Sequence, residues 1–247
     1  LGIQGVPGNT YTLSIATETG VNYLSTPQQM PAPIAIQELQ LLKDVELRPT
    51  SAGVLEEIPG IRATLELQDP PNERNFYLWN WKGTYEVITN PELATPTPKN
   101  CCRQCWLTES SQEINLYEDT FTDGKLIEDR ELGFIAIDRR KLFNKYVLQV
   151  EQLAVTQEAY AFWSGINDQL SNVGSIFDPA PARLQGNVVN PADPNEQVLG
   201  FFMVAAKTVA QQALTSDQFA LTAPDVEVVN NDCRLLENAS TIRPDYY

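Results

Sequence analysis

The sequence predicts a mainly β protein, a β-sandwich or partly open barrel with one amphipathic helix. Short segments such as residues 61–67 alternate apolar and polar side chains with a period of two, which is typical of half-buried strands. Clusters of Gly, Pro, Asn and Asp separate these segments, as turns do in antiparallel sheets. One stretch only, about residues 156–173, spaces its apolar residues as a helix does. Together these patterns favour two packed layers of strands.

Composition excludes several functional classes. The 247 residues include 17 Lys and Arg against 32 Asp and Glu, so the net charge is -15. A surface this acidic repels phosphate, and we expect no nucleic-acid partner. Histidine is absent, which excludes a Ser-His-Asp triad, a Cys-His pair and His-ligated zinc. The hydrophobic content of 43% is typical of a globular chain, and no apolar run reaches the roughly 18–20 residues of a membrane span.

The first 33 residues predict the end of one domain. Residues 10–15 and 22–26 have strand patterns and flank a turn, so they predict a hairpin. A two-stranded hairpin is not stable alone, and we expect it to complete a small sandwich whose front portion precedes this chain. Residues 27–33 contain three prolines and predict a linker. The predicted domains are therefore residues 1–33 and the main β domain, residues 34–247.

Within the main domain the predicted helix has clear end signals. Thr156 is suited to the N-cap, Gly174 to the C-cap, and Asp178-Pro179 prevents continuation. Phe162 and Trp163 fall on its apolar side and are interpreted as core residues. Residues after 204 read as loop. The predicted strands lie at 61–67, 76–81 continuing through 85–88, 113–116, 133–137, 145–155, 184–189 and 198–204.

Four cysteines, Cys101, Cys102, Cys105 and Cys233, indicate an oxidising compartment. Pairing Cys105 with Cys233 would leave two adjacent cysteines to bond each other, which is a strained arrangement. We therefore expect Cys233 to pair with Cys101 or Cys102, and Cys105 with the other. A four-thiolate metal site and a redox Cys-x-x-Cys pair are rival interpretations. An exported location follows from the disulfide interpretation.

Chemistry-bearing side chains suggest binding rather than catalysis. Tyr77, Trp79 and Trp81 share one face of a strand and could form an aromatic platform for sugar or peptide, with burial in the core as the alternative. No motif sets two carboxylates at the spacing of a glycosidase pair, so we expect no catalytic residues and no enzyme. The acidic residues weighed for such a pair are Asp69, Glu73, Glu109, Glu113, Asp119, Asp123, Glu128 and Asp129.

Ion binding is only weakly indicated. Asp119 and Asp123 precede Gly124 in a turn and offer hard oxygen ligands, so calcium is conceivable, but no EF-hand loop is present. We expect no metal site and no cofactor. The basic cluster Asp138-Arg139-Arg140-Lys141 is interpreted as a solvated face that could meet an acidic partner.

An ordered series of motifs resembles the Bacteroidota outer-membrane lipoprotein family catalogued as domain of unknown function 4249. The resemblance covers nearly the whole chain, and each motif is weak alone. The motifs lie at residues 5–13, Asp69-Pro70-Pro71, Asn75-Phe76-Tyr77-Leu78-Trp79, Cys105-Trp106-Leu107-Thr108-Glu109, Glu158-Ala159-Tyr160-Ala161-Phe162-Trp163, residues 174–182, Gly186-Asn187, residues 193–202, Asp232-Cys233-Arg234 and Pro244-Asp245-Tyr246-Tyr247.

The resemblance implies a context rather than a reaction. Its members are exported, anchored at the outer membrane through an N-terminal lipidated Cys that this chain does not include, and commonly encoded beside a TonB-dependent receptor. They begin with an immunoglobulin- or transthyretin-like sandwich, and they bring no catalytic residues to carry over. The leading hypothesis is therefore a non-enzymatic cell-surface subunit of such a barrel that assists ligand capture or uptake. A scaffold of outer-membrane biogenesis or secretion machinery and a carbohydrate- or peptide-binding module are the alternatives.

Overall fold

A computed structural model describes residues 4–171, 184–215, 217–218 and 228–247. Within these ranges it contains short 3-10 helices at Pro91–Leu93 and Cys233–Leu235, one α-helix and a series of strands. The elements are β1 (Thr10–Tyr11), β2 (Ser14–Ala16), β3 (Asn22–Ser25), β4 (Gln28–Gln29), β5 (Glu38–Pro49), β6 (Leu55–Gln68), β7 (Phe76–Ile88), β8 (Gln104–Ser110), β9 (Asn115–Glu118), β10 (Leu126–Ala136), β11 (Lys145–Val155), α1 (Gln157–Ser171), β12 (Val188–Val189), β13 (Ala206–Thr215) and β14 (Ala239–Ser240).

Two antiparallel sheets form the body. One has the strand order β10-β6-β5, and the other has the order β13-β11-β7-β8-β14 with β9 also paired to β7. One hydrophobic cluster joins their inner faces, since Ile61 and Leu65 of the first sheet pack with Trp79 and Leu148 of the second. The predicted β-sandwich with one helix is confirmed.

The structure corrects the predicted strands near the C-terminus. β7 and β11 coincide with the predicted segments, because aromatic and β-branched residues fill them. Residues 198–204, predicted as a strand, form none, and the neighbouring strand is β13, in a region interpreted as loop. β13 is rich in Ala and Gln, which favour strands weakly. Its structure comes from pairing with all but the last residue of β11, from Lys145 opposite Thr215 to Ala154 opposite Ala206.

The helix agrees with its sequence signals at the N-terminus. α1 begins directly after Thr156, whose hydroxyl accepts the Ala159 N–H at 3.2 Å, as an N-cap does. Phe162 and Trp163 are half-buried rather than core, and Phe162 stacks on Phe201 with ring centroids 4.9 Å apart. The predicted C-cap at Gly174 and the Asp178-Pro179 stop lie outside the described residues. The described part of the chain has no helix with the length and hydropathy of a membrane span.

The predicted N-terminal hairpin is present only in part, as β2 and β3 with Ser14 opposite Leu24. β1, which was predicted to belong to it, pairs instead with β4, a strand inside the predicted linker. β3 also pairs with β12, a strand of the main domain. Just after the hairpin in the chain, the Gln28 side-chain N–H donates to the Glu158 carboxylate at 2.8 Å. The Gln28 side-chain oxygen accepts the Thr156 hydroxyl at 3.0 Å. The first 33 residues are thus hydrogen-bonded to the rest of the chain. Their division into a separate domain stays a prediction.

The disulfide pairing differs from the predicted one. Cys105 pairs with Cys233, and the adjacent Cys101 and Cys102 pair with each other. The prediction was wrong because it gave more weight to the strain of an adjacent pair than to the alternation of β8. That alternation places the Cys105 side chain in a buried cluster with Val87, Leu107 and Cys233. The Cα of Cys105 lies 5.9 Å from that of Cys233.

Candidate functional site

The three aromatic residues proposed as a platform have different environments. Tyr77 and Trp79 are 0% exposed, stack on each other at 5.5 Å and lie in the core between the sheets. The Trp79 indole N–H donates to the buried Gln152 amide oxygen at 2.9 Å. A three-ring platform is therefore contradicted for Tyr77 and Trp79, because the opposite sheet covers this face of β7. Trp81 is only half-buried.

Trp81 is reachable because the covering strand is irregular at that point. β10 shifts register on β6 between Glu131 and Gly133, which is a β-bulge, a feature common beside binding sites. Gly133 has φ +135°, in the region that favours glycine. A Cβ at Gly133 would lie 3.8 Å from the Trp81 indole nitrogen, so the missing side chain leaves the indole edge uncovered.

A partly buried ion pair forms the wall beside Trp81. The Lys141 ammonium donates to both Glu109 carboxylate oxygens at 2.8 Å and to the Ala136 carbonyl at 2.8 Å. The Tyr146 hydroxyl also donates to Glu109, at 2.8 Å. Gly83 makes this possible, because a Cβ there would lie 1.6 Å from the Tyr146 hydroxyl oxygen. Lys141, interpreted as part of a solvated basic face, is instead only 16% exposed along its side chain.

The phenols of this wall stay neutral at ordinary pH. Burial, followed by the nearby Glu109 carboxylate, raises the pKa of Tyr85 to about 12. The pKa of Tyr146 is also raised well above its usual value, by burial and then by the same carboxylate. Tyr146 is thus a fixed hydroxyl donor, and Glu109 is held by two donors of the protein itself. That arrangement leaves Glu109 poorly placed to act as an acid or base.

The residues around Trp81 line a half-open cavity of about 350 Å³. Its lining brings together Trp81, Glu109, Glu113 and Lys141, which the sequence analysis considered separately. It also includes residues that the analysis missed, of which Arg48, Ser111, Phe134 and Gly133 matter most. The sequence signal that could have indicated the bulge is a glycine, Gly133, within a predicted strand.

A second candidate surface lies at the end of the β5–β6 hairpin. β10 pairs with β6 only as far as Ala136 opposite Gly60. The hairpin continues beyond it as a two-stranded ribbon, residues 45–59, which we call the outer hairpin. Exposed apolar side chains concentrate there: Val45 is 46% exposed, Leu47 58%, Val54 64% and Leu55 62%.

Three of the eight acidic candidates form one cluster. Asp69, Asp119 and Asp123 bring carboxylate oxygens within 4.8 Å of one another, and the first two are buried. Protein donors already hold them: Asp69 accepts the Tyr77 hydroxyl and the Gly124 N–H, and Asp119 accepts the Asn75 N–H at 2.8 Å. Burial raises the pKa of Asp69. The cluster thus ties a turn to the sheet, and the expectation that no metal binds there stays a prediction.

Comparison with known proteins gives one match. A family model described as domain of unknown function (DUF4249) matches residues 3–211, which is most of the chain. No curated protein and no solved structure matches. The motifs quoted for the resemblance include Asp69 and Tyr77, which meet at the acidic turn, and Cys105 and Cys233, which form the buried disulfide.

Proposed function

The chain belongs to the family described as domain of unknown function (DUF4249), and we propose that it is a non-enzymatic cell-surface subunit of an outer-membrane barrel. The barrel is of the TonB-dependent class, and the subunit assists ligand capture or uptake. Attachment to the membrane is through an N-terminal lipid anchor outside this chain. The proposal is carried by one observation, the apolar face of the outer hairpin.

The outer hairpin extends the core face of its own sheet into solvent. Cross-strand partners in an antiparallel ladder point to the same face. In register, Leu39 opposite Leu65 leads to Val45 opposite Pro59 and then to Leu47 opposite Glu57. The register has no shift along this hairpin, so Val45 and Leu47 lie on the face that is core farther in. The second sheet does not cover them, as their exposure shows.

An exposed apolar ribbon is costly unless a partner covers it. Two-stranded ribbons are marginally stable in water, and contiguous exposed apolar surface marks interaction sites. The opposite face of the ribbon carries the ion pair of Arg48 with Glu46 at 2.6 Å, together with the half-buried Ile58 opposite Glu46. The face with Val45, Leu47 and Leu55 is therefore the one suited to a protein partner. The net charge of -15 opposes self-association of the chain through that ribbon.

The experiment is a mild-detergent pull-down of the protein from native membranes, with its companions identified by mass spectrometry. The bait is compared with a double variant, Leu47→Asp with Leu55→Asp, and with Phe121→Asp as a matched control. Phe121 is 87% exposed and lies outside the hairpin, so its substitution replaces an exposed apolar side chain by a negative charge elsewhere. A stoichiometric interface is expected to bury at least about 1,000 Å².

We expect a TonB-dependent barrel in the wild-type and Phe121→Asp samples, and at least tenfold less of it with the double variant, since two apolar contacts are replaced by charges. Recovery of assembly factors in place of a barrel would move the assignment to a biogenesis or secretion scaffold. A protein recovered alone, or a barrel retained equally by all three baits, would contradict the proposal.

A further inference from the structure

The cavity beside Trp81 has the properties of a small-molecule site, and nothing in the family match assigns it one. Its volume of about 350 Å³ lies at the lower end of the range for ligand pockets, roughly 300–1,000 Å³. It is bounded by two aromatic rings, Trp81 and Phe134, and by the hydroxyls and amide of residues 110–112. We propose that it binds one neutral, hydroxyl-bearing ring, such as a single sugar residue, against the Trp81 indole.

The shape of the cavity disfavours an extended peptide. Lining residues 132–136 belong to β10, the edge strand of its sheet, and a peptide could bind such an edge by adding a strand. Two register shifts interrupt β10, one between Ile127 and Arg130 and one between Glu131 and Gly133. Bulges of this kind twist an edge away from regular pairing. A compact ligand needs no such pairing.

The electrostatics favour a neutral ligand. The charged lining residues are Arg48, Lys141, Glu109 and Glu113, two cations and two anions. Lys141 is paired with Glu109 inside the wall. Arg48 is paired with Glu46, and its guanidinium carbon lies 5.6 Å from the centre of the Phe134 ring. An anion entering the cavity would find both lining cations, Arg48 and Lys141, already paired, and it would lose hydration.

The polar groups that remain suit hydroxyls. Ser111 accepts the Trp81 backbone N–H at 3.2 Å, and its own N–H donates to the Trp81 carbonyl at 2.9 Å. These two bonds to the Trp81 backbone hold Ser111 next to Trp81, and the Ser111 hydroxyl proton is left to be donated to a ligand. Glu113 is exposed at the rim and offers acceptors. An apolar ring face on Trp81 with hydroxyls at its edge matches this distribution.

The cavity and the outer hairpin share one element but present different residues. Arg48 lines the cavity from the strand that carries Val45 and Leu47 on its other face. A ligand held beside Trp81 therefore leaves the apolar face of the hairpin uncovered. The ligand site does not depend on the proposed barrel partner, and each can fail without the other.

The test is NMR of uniformly nitrogen-15 labelled protein titrated with sugars. The chain has four tryptophans, so four indole N–H signals are expected, and Trp81→Phe assigns the one of interest. The probes are glucose, galactose, mannose, rhamnose and N-acetylglucosamine, with glucuronate as the charged counterpart of glucose. Concentrations reach about 20 mM, because a single small subsite is expected to bind with a Kd of about 1 mM.

At least one neutral sugar should shift the Trp81 indole signal in a saturable way, while the Trp79 signal, held by Gln152, stays fixed. Glucuronate should shift it less than glucose does. Ser111→Ala should weaken binding about two- to tenfold, whereas Ser14→Ala, on an exposed strand of the N-terminal hairpin, should leave it unchanged. An unchanged Trp79 signal in each variant verifies the fold.

Three outcomes overturn the proposal. The first is the absence of any Trp81 shift with all five neutral sugars. The second is a response to glucuronate as strong as that to glucose, and the third is a response that survives unchanged in Ser111→Ala, since either would show that the neutral, hydroxyl-directed site does not exist.

Discussion

The inner and outer parts of the β5–β6 hairpin have the same register and different surroundings. In the inner part, residues 38–44 and 60–68, the face is covered by the second sheet, and Ile61 and Leu65 are 0% exposed. In the outer hairpin the same face carries Val45 and Leu47 in solvent. The alternation of side chains is continuous across the boundary. Burial is therefore set by where the second sheet ends. Where an apolar strand pattern continues beyond that sheet, its uncovered side chains indicate a surface for a partner.

The largest expected effect separates the two parts by stability. Leu65→Ala removes a wholly buried side chain from the shared core, and we expect the free energy of unfolding to fall by about 2–5 kcal/mol. The equivalent Leu47→Ala change in the outer hairpin should alter it by about 0.5 kcal/mol or less. Urea unfolding followed by circular dichroism measures both. Equal losses would mean that the outer hairpin is packed in solution.

A second prediction tests the boundary at Gly60. A Cβ there would lie 2.3 Å from a Phe134 ring carbon and 2.5 Å from the Ile135 carbonyl oxygen. Backbone cannot move aside as a flexible side chain does, so Gly60→Ala should cost about 1–3 kcal/mol. Gly53→Ala is a control for losing a glycine in the hairpin turn, where no atom lies within 4 Å but φ is +77°. A smaller loss for Gly60→Ala than for Gly53→Ala would contradict this packing.

A third prediction concerns local opening in the unmodified protein. The outer hairpin is a ribbon of two strands, whereas the inner part is paired on both sides of β6. We expect the amides of residues 45–48 to exchange with solvent at least tenfold faster than those of residues 61–65, because few buried contacts resist their opening. Hydrogen exchange with mass spectrometry measures this, and equal protection of residues 45–48 and 61–65 would contradict it.

The smallest expected effect is a pH dependence at the junction. Hydrogen bonding to the Arg62 guanidinium lowers the pKa of Asp44, and Arg62 also pairs with Glu131. Because the folded pKa lies below the unfolded one, the stabilisation is present above the unfolded pKa and is lost as pH falls through the folded value. Asp44→Asn should therefore lower the melting temperature slightly at pH 7, and the difference from wild type should shrink as pH falls through the folded pKa of Asp44. A difference that grew in acid would contradict the sign.

Sequence reasoning predicted the layers better than their extent. Local sequence patterns were enough to predict the sandwich class, β7, β11 and the Thr156 cap. The strand β13 was missed because its Ala and Gln residues carry no strand signal without β11 beside them. The predicted disulfide pairing is wrong because it was chosen to avoid a bond between the adjacent Cys101 and Cys102. It did not consider the side of β8 to which Cys105 points.

The cavity beside Trp81 shows the same limit of local sequence patterns. Alternation places Tyr77, Trp79 and Trp81 on one face, and they do share it. It does not reveal that the covering strand has a bulge at Gly133, beside Trp81. Glu109 and Lys141 are 32 residues apart, and only the pairing of β8 with β7 and the turn after β10 bring them together. Distances between strands are set by register, which one sequence does not reveal.

The central claim is that the outer hairpin contacts the barrel. The most direct measurement is photo-crosslinking in intact cells from a benzoyl-phenylalanine placed at Leu47, with the same probe at Phe121 as control. We predict a covalent product with a TonB-dependent barrel from position 47 and none from position 121. Crosslinking from neither position, or equally from both, would contradict the claim.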